Sequence, residues 1–177
     1  MESIIQSSVA NSITYENYRN TIDTLLKEGK STGHEQSEAL THYSELNVTR
    51  MNRLDKTMTV AAEFAEQLKE LKGDYFWLVI SEGWCGDAAQ LVPIFHKMAE
   101  LSPNIEMKIA LRDDNDALMA TSLLKSGFRT DVEPILAMAR LESGGAIDPV
   151  ATYRVSGYRA RVAEIRPKSS GAGGGIV

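Results

Sequence analysis

One short segment near the middle of the chain limits the possible folds more than any other. Residues 75–80 form an unbroken run of aromatic, aliphatic and β-branched side chains, Tyr-Phe-Trp-Leu-Val-Ile. A strand that is apolar at every position must be covered on both faces, as the inner strands of parallel sheets are. We therefore predict a central strand here, within a layered α/β fold.

The segments after this strand alternate between helix and strand patterns. Apolar residues recur at helical spacing after the loop 81–86, and the helix that they predict contains Pro93. The predicted elements are helices over 87–100 and 113–125 and strands over 105–111, 134–139 and 150–155. Because Gly144 and Gly145 separate the last two strands, we predict a hairpin. The expected fold class is α/β, with a central mixed sheet flanked by helices.

The first third of the chain has the pattern of helices. Three stretches carry apolar residues at helical spacing, over 14–29, 34–55 and 59–73. We divide the chain into a flexible N-terminus (1–13), a single domain (14–165) and a disordered tail (166–177), in which Gly and Ser replace apolar residues. The domain consists of a helical extension, 14–58, and a core, 59–165.

Composition argues against several classes of function. The chain has 177 residues and one cysteine, so it cannot form an internal disulfide. Its net charge is −5 and it has no basic block, which argues against nucleic acid as a partner. Residues 1–20 are polar and contain no signal peptide or membrane-spanning run. We expect a cytoplasmic protein without a membrane partner, and the sequence carries no signal for an oligomeric state.

Two groups of polar residues admit a functional and a structural interpretation. His34, Glu38 and His42 are spaced four residues apart, so one helix face could present them to a metal ion. A single face rarely closes a coordination shell, and we predict a solvated face and no metal. For Asp113 and Asp114, at the start of a predicted helix, we expect a capping role.

The segment that carries chemistry is the loop between the central strand and its helix. Cys85 stands there, so its sulfur is expected near the unpaired N–H groups at the helix start, where the partial positive charge favours the thiolate. Trp84 and Gly86 on either side suit a sulfur at a surface that docks other chains. We predict that Cys85 is the catalytic residue.

These residues resemble the thioredoxin superfamily, whose motif is Trp-Cys-Gly-x-Cys. The motif here is Trp84-Cys85-Gly86-Asp87-Ala88. Pro93 stands eight residues after the Cys, where thioredoxins kink this helix, and Pro134 matches the position of their cis-proline. With the segment 111–115 and the helical N-terminus, the chain looks most like a branch of small bacterial thioredoxin family proteins. The resemblance implies a thioredoxin-like core and a site supported by Trp84, Gly86, Asp87 and Pro134.

Two departures from the family pattern bear on mechanism. Ala88 replaces the resolving cysteine, so the dithiol cycle cannot close within this chain. Val79 occupies the position at which the family places a buried acid, so proton transfer would need Asp87, Glu82 or water. Asp87 could instead cap the helix, or raise the pKa of the thiol by its charge.

Pro134 has two interpretations of its own. A cis peptide bond there would leave backbone beside Cys85 open to an extended partner segment, whereas a trans proline would simply begin a strand.

Three functions remain open. The favoured hypothesis is a monothiol redox protein in which Cys85 reacts with protein or small-molecule thiols and disulfides, without a resident cofactor and with glutathione as a co-substrate. The alternative is a redox-inactive module that binds extended peptide segments through the same surface. The third, an iron–sulfur cluster shared across a dimer with glutathione, ranks last because the lysine that monothiol glutaredoxins carry ahead of the motif is absent.

Overall fold

A four-stranded mixed sheet with helices on both faces organises the part of the chain that the computed structural model describes, residues 2–120, 135–141 and 147–154. The helices are α1 (Glu2–Ala10), α2 (Tyr15–Lys27), α3 (Glu38–Thr57), α4 (Ala62–Lys69), α5 (Ala88–Glu100) and α6 (Asp116–Met119). The strands are β1 (Tyr75–Ser81), β2 (Ile105–Leu111), β3 (Ile135–Leu141) and β4 (Ile147–Arg154). None of the helices in these residues is both long and apolar enough to cross a membrane.

The strand order is β2-β1-β3-β4, which places β1 inside the sheet. β1 runs parallel to β2, and α5 makes the crossover between them. β3 pairs antiparallel with β1 on the other side, and β4 pairs antiparallel with β3. The structure therefore confirms the α/β class, the mixed sheet and the central position of the strand at 75–80.

β1 is covered on both faces because successive side chains of a strand point to opposite sides. Trp77 and Val79 join a cluster beneath α2, α3 and α5. Phe76, Leu78 and Ile80 join a second cluster on the opposite face, with Leu118 of α6. The continuous apolar run in the sequence is thus explained by two cores that share one strand.

The helical extension packs directly on the first of these cores. Side chains of α2 and α3 are buried there, among them Tyr18, Ile22 and Met51. Thr14 caps α2 by accepting a hydrogen bond from the backbone N–H of Asn17, at 3.2 Å. Because these helices carry part of the core, the extension contributes to the stability of the sheet.

The N-terminus differs from the sequence prediction. Residues 1–13 were expected to be flexible, but Glu2–Ala10 forms helix α1. Ile4, Ile5 and Val9 pack against the second cluster, and this apolar contact explains why a short helix of modest propensity forms. After α1, Ile13 exchanges two backbone hydrogen bonds with Ile109 of β2, at 2.8 and 2.7 Å.

Other boundaries also shift. α3 begins at Glu38, where Ser37 caps it, so His34 lies in the preceding loop. β4 begins at Ile147, earlier than the weak apolar run suggested. The predicted helix over 113–125 is seen as α6, four residues long, up to the end of the described stretch. Pro134, the Gly144-Gly145 turn and the tail 166–177 lie outside the described residues.

The burial of Met51 predicts that the extension and the sheet unfold together. Met51→Ala removes a fully buried side chain and should lower the free energy of unfolding by about 2–4 kcal/mol. Leu46→Ala, on the same helix at 40% exposure, should cost under about 1 kcal/mol. Urea denaturation followed by the fluorescence of Trp77 and Trp84 measures both. An unchanged midpoint for Met51→Ala would show that α3 is not part of the cooperative core.

Candidate active site

The loop between β1 and α5 brings together the predicted motif residues. The backbone N–H of Cys85 donates to the carbonyl of Glu82, at 3.1 Å, and the N–H of Ala89 donates to the carbonyl of Cys85, also at 3.1 Å. Cys85 thus lies in the turn that begins α5. The backbone N–H groups of Asp87 and Ala88 donate to its sulfur, which is the arrangement expected for a helix start.

Burial outweighs this helix-end effect at the thiol. Cys85 is only 5% exposed, and desolvation raises its pKa to about 11. The negative charges of Asp87 and Glu82 raise the pKa further, and the two N–H groups oppose them. In the free protein at neutral pH, Cys85 is therefore a protonated thiol and not the thiolate that its sequence position suggested.

Glu82 is a buried acid beside this thiol. Its side chain is 1% exposed, and burial raises the pKa of its carboxyl group above the usual value. One oxygen, Oε1, accepts a hydrogen bond from the backbone N–H of Asp113 at 3.0 Å, and the hydroxyl of Thr32 also donates to the carboxylate. The other oxygen, Oε2, has no hydrogen-bond partner within the described residues. Such an arrangement is costly and is more common at functional sites than elsewhere.

From the sequence, Glu82 was expected only as one of several proton carriers, and its burial was not predicted. Val79, at the position where the family places a buried acid, packs in the core. The sequence signal that was available is the position of Glu82, directly after β1, which is buried at every position except Tyr75, and before a glycine.

The helical extension holds the motif loop in place through three hydrogen bonds. The Tyr18 hydroxyl donates to the carbonyl of Glu82 at 3.0 Å. The N–H of Gly83 donates to Thr32 Oγ1 at 2.7 Å, and Asn47 Nδ2 donates to the carbonyl of Gly83 at 2.9 Å. All three side chains are buried, so the loop before Cys85 depends on residues far away in the sequence.

The remaining motif residues differ in their burial and in their contacts. Trp84 is half-buried, whereas Ala88, at the position of a resolving cysteine, is buried in the first cluster. Asp87 precedes α5 without capping it through its side chain, and its charge raises the pKa of Cys85. Gly86 lies beside Arg50 of α3, whose Nη1 is 3.6 Å from the position that a Cβ of residue 86 would occupy.

The loop 31–34 contacts the carboxylates of the segment that follows β2. The His34 backbone N–H donates to Asp113 Oδ2 at 2.9 Å, and His34 Nε2 lies 3.0 Å from Asp114 Oδ1. These carboxylates hold the loop and do not cap α6, which begins after Asn115. Because His34 is outside α3, it does not share a helix face with Glu38 and His42. In the described residues, no three His, Cys, Asp or Glu side chains form a group that could hold a metal ion.

Comparison with known proteins identifies the family. A family model described as thioredoxin matches residues 33–130, which is more than half of the chain. The chain belongs to the thioredoxin family. This confirms the thioredoxin-like fold expected from the motif, and it places the motif loop of this thioredoxin family member inside the matched region.

Two curated proteins are similar to a shorter part of this thioredoxin family member. Both are described as probable sugar isomerases: one from Mesorhizobium japonicum is 71% identical over 66 residues, and one from Rhizobium meliloti is 70% identical over 66 residues. Each match covers 37% of this chain, and the chain spans only 15% of the length of these relatives.

Two solved structures show a weaker, structural likeness. One is a protein of unknown function from Pseudomonas aeruginosa, with a TM-score of 0.47 at 16% identity, covering 80% of this chain and 76% of that one. The other is an HIV epitope scaffold, with a TM-score of 0.47 at 17% identity, covering 80% of this chain and 77% of that one.

The surroundings of the two glycines in the motif loop predict that the same substitution has a larger effect at Gly83 than at Gly86. In Gly83→Ala, the new Cβ would lie 2.9 Å from Ile22 and 3.2 Å from Thr32, so the free energy of unfolding should fall by about 1–3 kcal/mol. In Gly86→Ala, its nearest neighbour is Arg50 Nη1 at 3.6 Å, an ordinary contact, and the change should stay within about 1 kcal/mol. Urea denaturation measures the free energy of unfolding of both variants. Equal stabilities would contradict the close packing of Ile22 and Thr32 around Gly83.

The electrostatics of Cys85 predict a slow, strongly pH-dependent alkylation. In the folded protein, the rate with iodoacetamide should rise with a midpoint near 11, against about 8.5 in the unfolded chain. Glu82→Gln removes a charge that raises the pKa, so its midpoint should fall. The control is Glu63→Gln, an exposed residue of α4, which should leave the midpoint unchanged. A wild-type midpoint at or below 8.5 would show that burial does not dominate.

Proposed function

We propose that this protein is a monothiol redox protein that exchanges disulfides through Cys85 with protein or small-molecule thiols. The observation that carries the proposal is the position of the sulfur, which accepts hydrogen bonds from the backbone N–H groups of Asp87 and Ala88 at the start of α5. These donors stabilise negative charge on sulfur, both in the attacking thiolate and in the same thiolate as a leaving group.

The reaction follows from the presence of one cysteine. Cys85 loses its proton to solvent and attacks one sulfur of a substrate disulfide, forming a mixed disulfide while the other sulfur leaves as a thiolate and is protonated. A second, external thiol such as glutathione then attacks the sulfur of the substrate half. This releases Cys85 and leaves a new disulfide between the external thiol and the substrate. No step needs a resident cofactor.

Burial, together with the negative charges of Asp87 and Glu82, keeps Cys85 protonated before it reacts. With a pKa of about 11, roughly one thiol in ten thousand is ionised at pH 7. Reaction therefore depends on exposing the sulfur, which lies next to the half-buried Trp84 and to Gly86, on the surface proposed to receive the substrate.

The second candidate is a redox-inactive module that binds extended peptide segments. The same burial of Cys85, 5% exposed, favours it, since a thiol that never becomes accessible serves only as a packing group. The two functions make different predictions for the reaction of the folded protein with a disulfide.

Oxidised glutathione distinguishes them. Incubated with the folded protein at pH 8, it should add one glutathionyl group to Cys85, detected by intact-protein mass spectrometry, and reduced glutathione should remove it. Glu82→Gln should speed the addition, because the thiolate fraction rises. Cys85→Ser is the control and should gain nothing. An adduct that forms only in urea would overturn the redox proposal and leave the binding module.

A further inference from the structure

Arg50 is a positively charged side chain beside the proposed reaction site. It lies on α3, far from the motif in sequence, and its Nη1 approaches the backbone at Gly86, the residue directly after Cys85. Arg50 as a whole is half-buried. This cation therefore lies next to the residue that follows the proposed reactive thiol.

Arg50 is held in this position by the same contacts that hold the loop. Its Nη1 donates to Asn47 Oδ1 at 2.9 Å, and Asn47 Nδ2 donates to the carbonyl of Gly83. Asn47 is fully buried, and both polar atoms of its side chain are used in these two hydrogen bonds. The guanidinium group is therefore fixed relative to the motif loop, which lowers the entropy lost when it binds a ligand.

Among the described residues, the guanidinium group also has no acidic partner. Arg19 pairs with Asp55, and Arg112 pairs with Asp113. No carboxylate of the described residues lies within ion-pair distance of Arg50, although the net charge of the chain is −5. A positioned arginine with unused donors suits a carboxylate, which it can bind through two parallel hydrogen bonds.

The absence of a side chain at Gly86 leaves space beside this cation. A Cβ there would lie in van der Waals contact with Nη1. The backbone at Gly86 does not adopt a positive φ, so its conformation does not by itself require glycine.

We propose that Arg50 is a specificity residue that binds a carboxylate of the substrate, and that the substrate is therefore an anionic low-molecular-weight thiol or disulfide of the glutathione type. The inference rests on the proposed function, since it names the substrate class of the same site. Glu82 and Asp87 add negative charge around Cys85, so Arg50 offsets their repulsion of an anionic substrate.

The first test measures binding without thiol chemistry. S-methylglutathione carries the carboxylates of glutathione but no free thiol, and its titration is followed by amide NMR shifts of the full chain. Wild type should bind with shifts centred on Gly86, and Arg50→Gln should weaken the affinity about five- to tenfold. Gly86→Ala should weaken it as well, because the new methyl group contacts the guanidinium.

Arg53→Gln is the matched control. Arg53 is an exposed arginine of the same helix, so this variant changes the net charge equally and should retain wild-type affinity. No binding to wild type, or equal affinities for Arg50→Gln and Arg53→Gln, would overturn the assignment.

The second test compares rates of reaction at Cys85 with three symmetrical disulfides at one ionic strength: anionic 3,3′-dithiodipropionate, neutral 2-hydroxyethyl disulfide and cationic cystamine. The ratio of the anionic to the cationic rate should fall about five- to tenfold in Arg50→Gln and stay unchanged in Arg53→Gln. Equal ratios would overturn the role of Arg50 while leaving the thiol chemistry intact. If none of the three reacts, the redox function fails, and the binding test still decides whether Arg50 binds a carboxylate.

Discussion

The hydrogen bonds from Tyr18, Thr32 and Asn47 to the backbone of residues 82 and 83 are the contacts on which the site depends. They join the helical extension to the loop between β1 and α5. In each, a buried side chain forms a hydrogen bond with a backbone N–H or carbonyl group of the loop, which no helix or strand would pair. The extension is therefore part of the site, since without it the segment that positions Cys85 would lose three of its fixed points.

The state of Cys85 results from a balance between opposing electrostatic effects. The start of α5 offers two N–H groups to the sulfur, which stabilise the thiolate, but burial and the charges of Asp87 and Glu82 act against them and prevail. The sulfur lies at a helix start, which favours the thiolate, while its surroundings keep the thiol protonated in the free protein. Arg50, which we propose as a carboxylate-binding residue, would offset this negative field for a substrate carrying a carboxylate.

Much of the architecture could be predicted because local patterns dictate it. The run at 75–80 required a strand covered on both faces, and the predicted bounds 105–111 agree with β2. The N-terminal helix α1 could not be predicted in this way. Its residues have no strong helical pattern, and it forms because Ile4, Ile5 and Val9 complete a cluster made by β1, β2 and α6. Similarly, the spacing of His34, Glu38 and His42 suggested a shared helix face. Because Ser37 caps α3 and the helix begins at Glu38, His34 lies in the preceding loop.

The sequence by itself determined the family, the single thiol and the alanine at residue 88, since each depends only on which residues the chain contains. Only the tertiary structure decided the chemistry available to that thiol. The burial of Glu82 and the approach of Arg50 to Gly86 arise from contacts between segments more than thirty residues apart. Desolvation and charge act through space, so the pKa of Cys85 depends on how the chain folds around it and cannot be obtained from its neighbours in sequence.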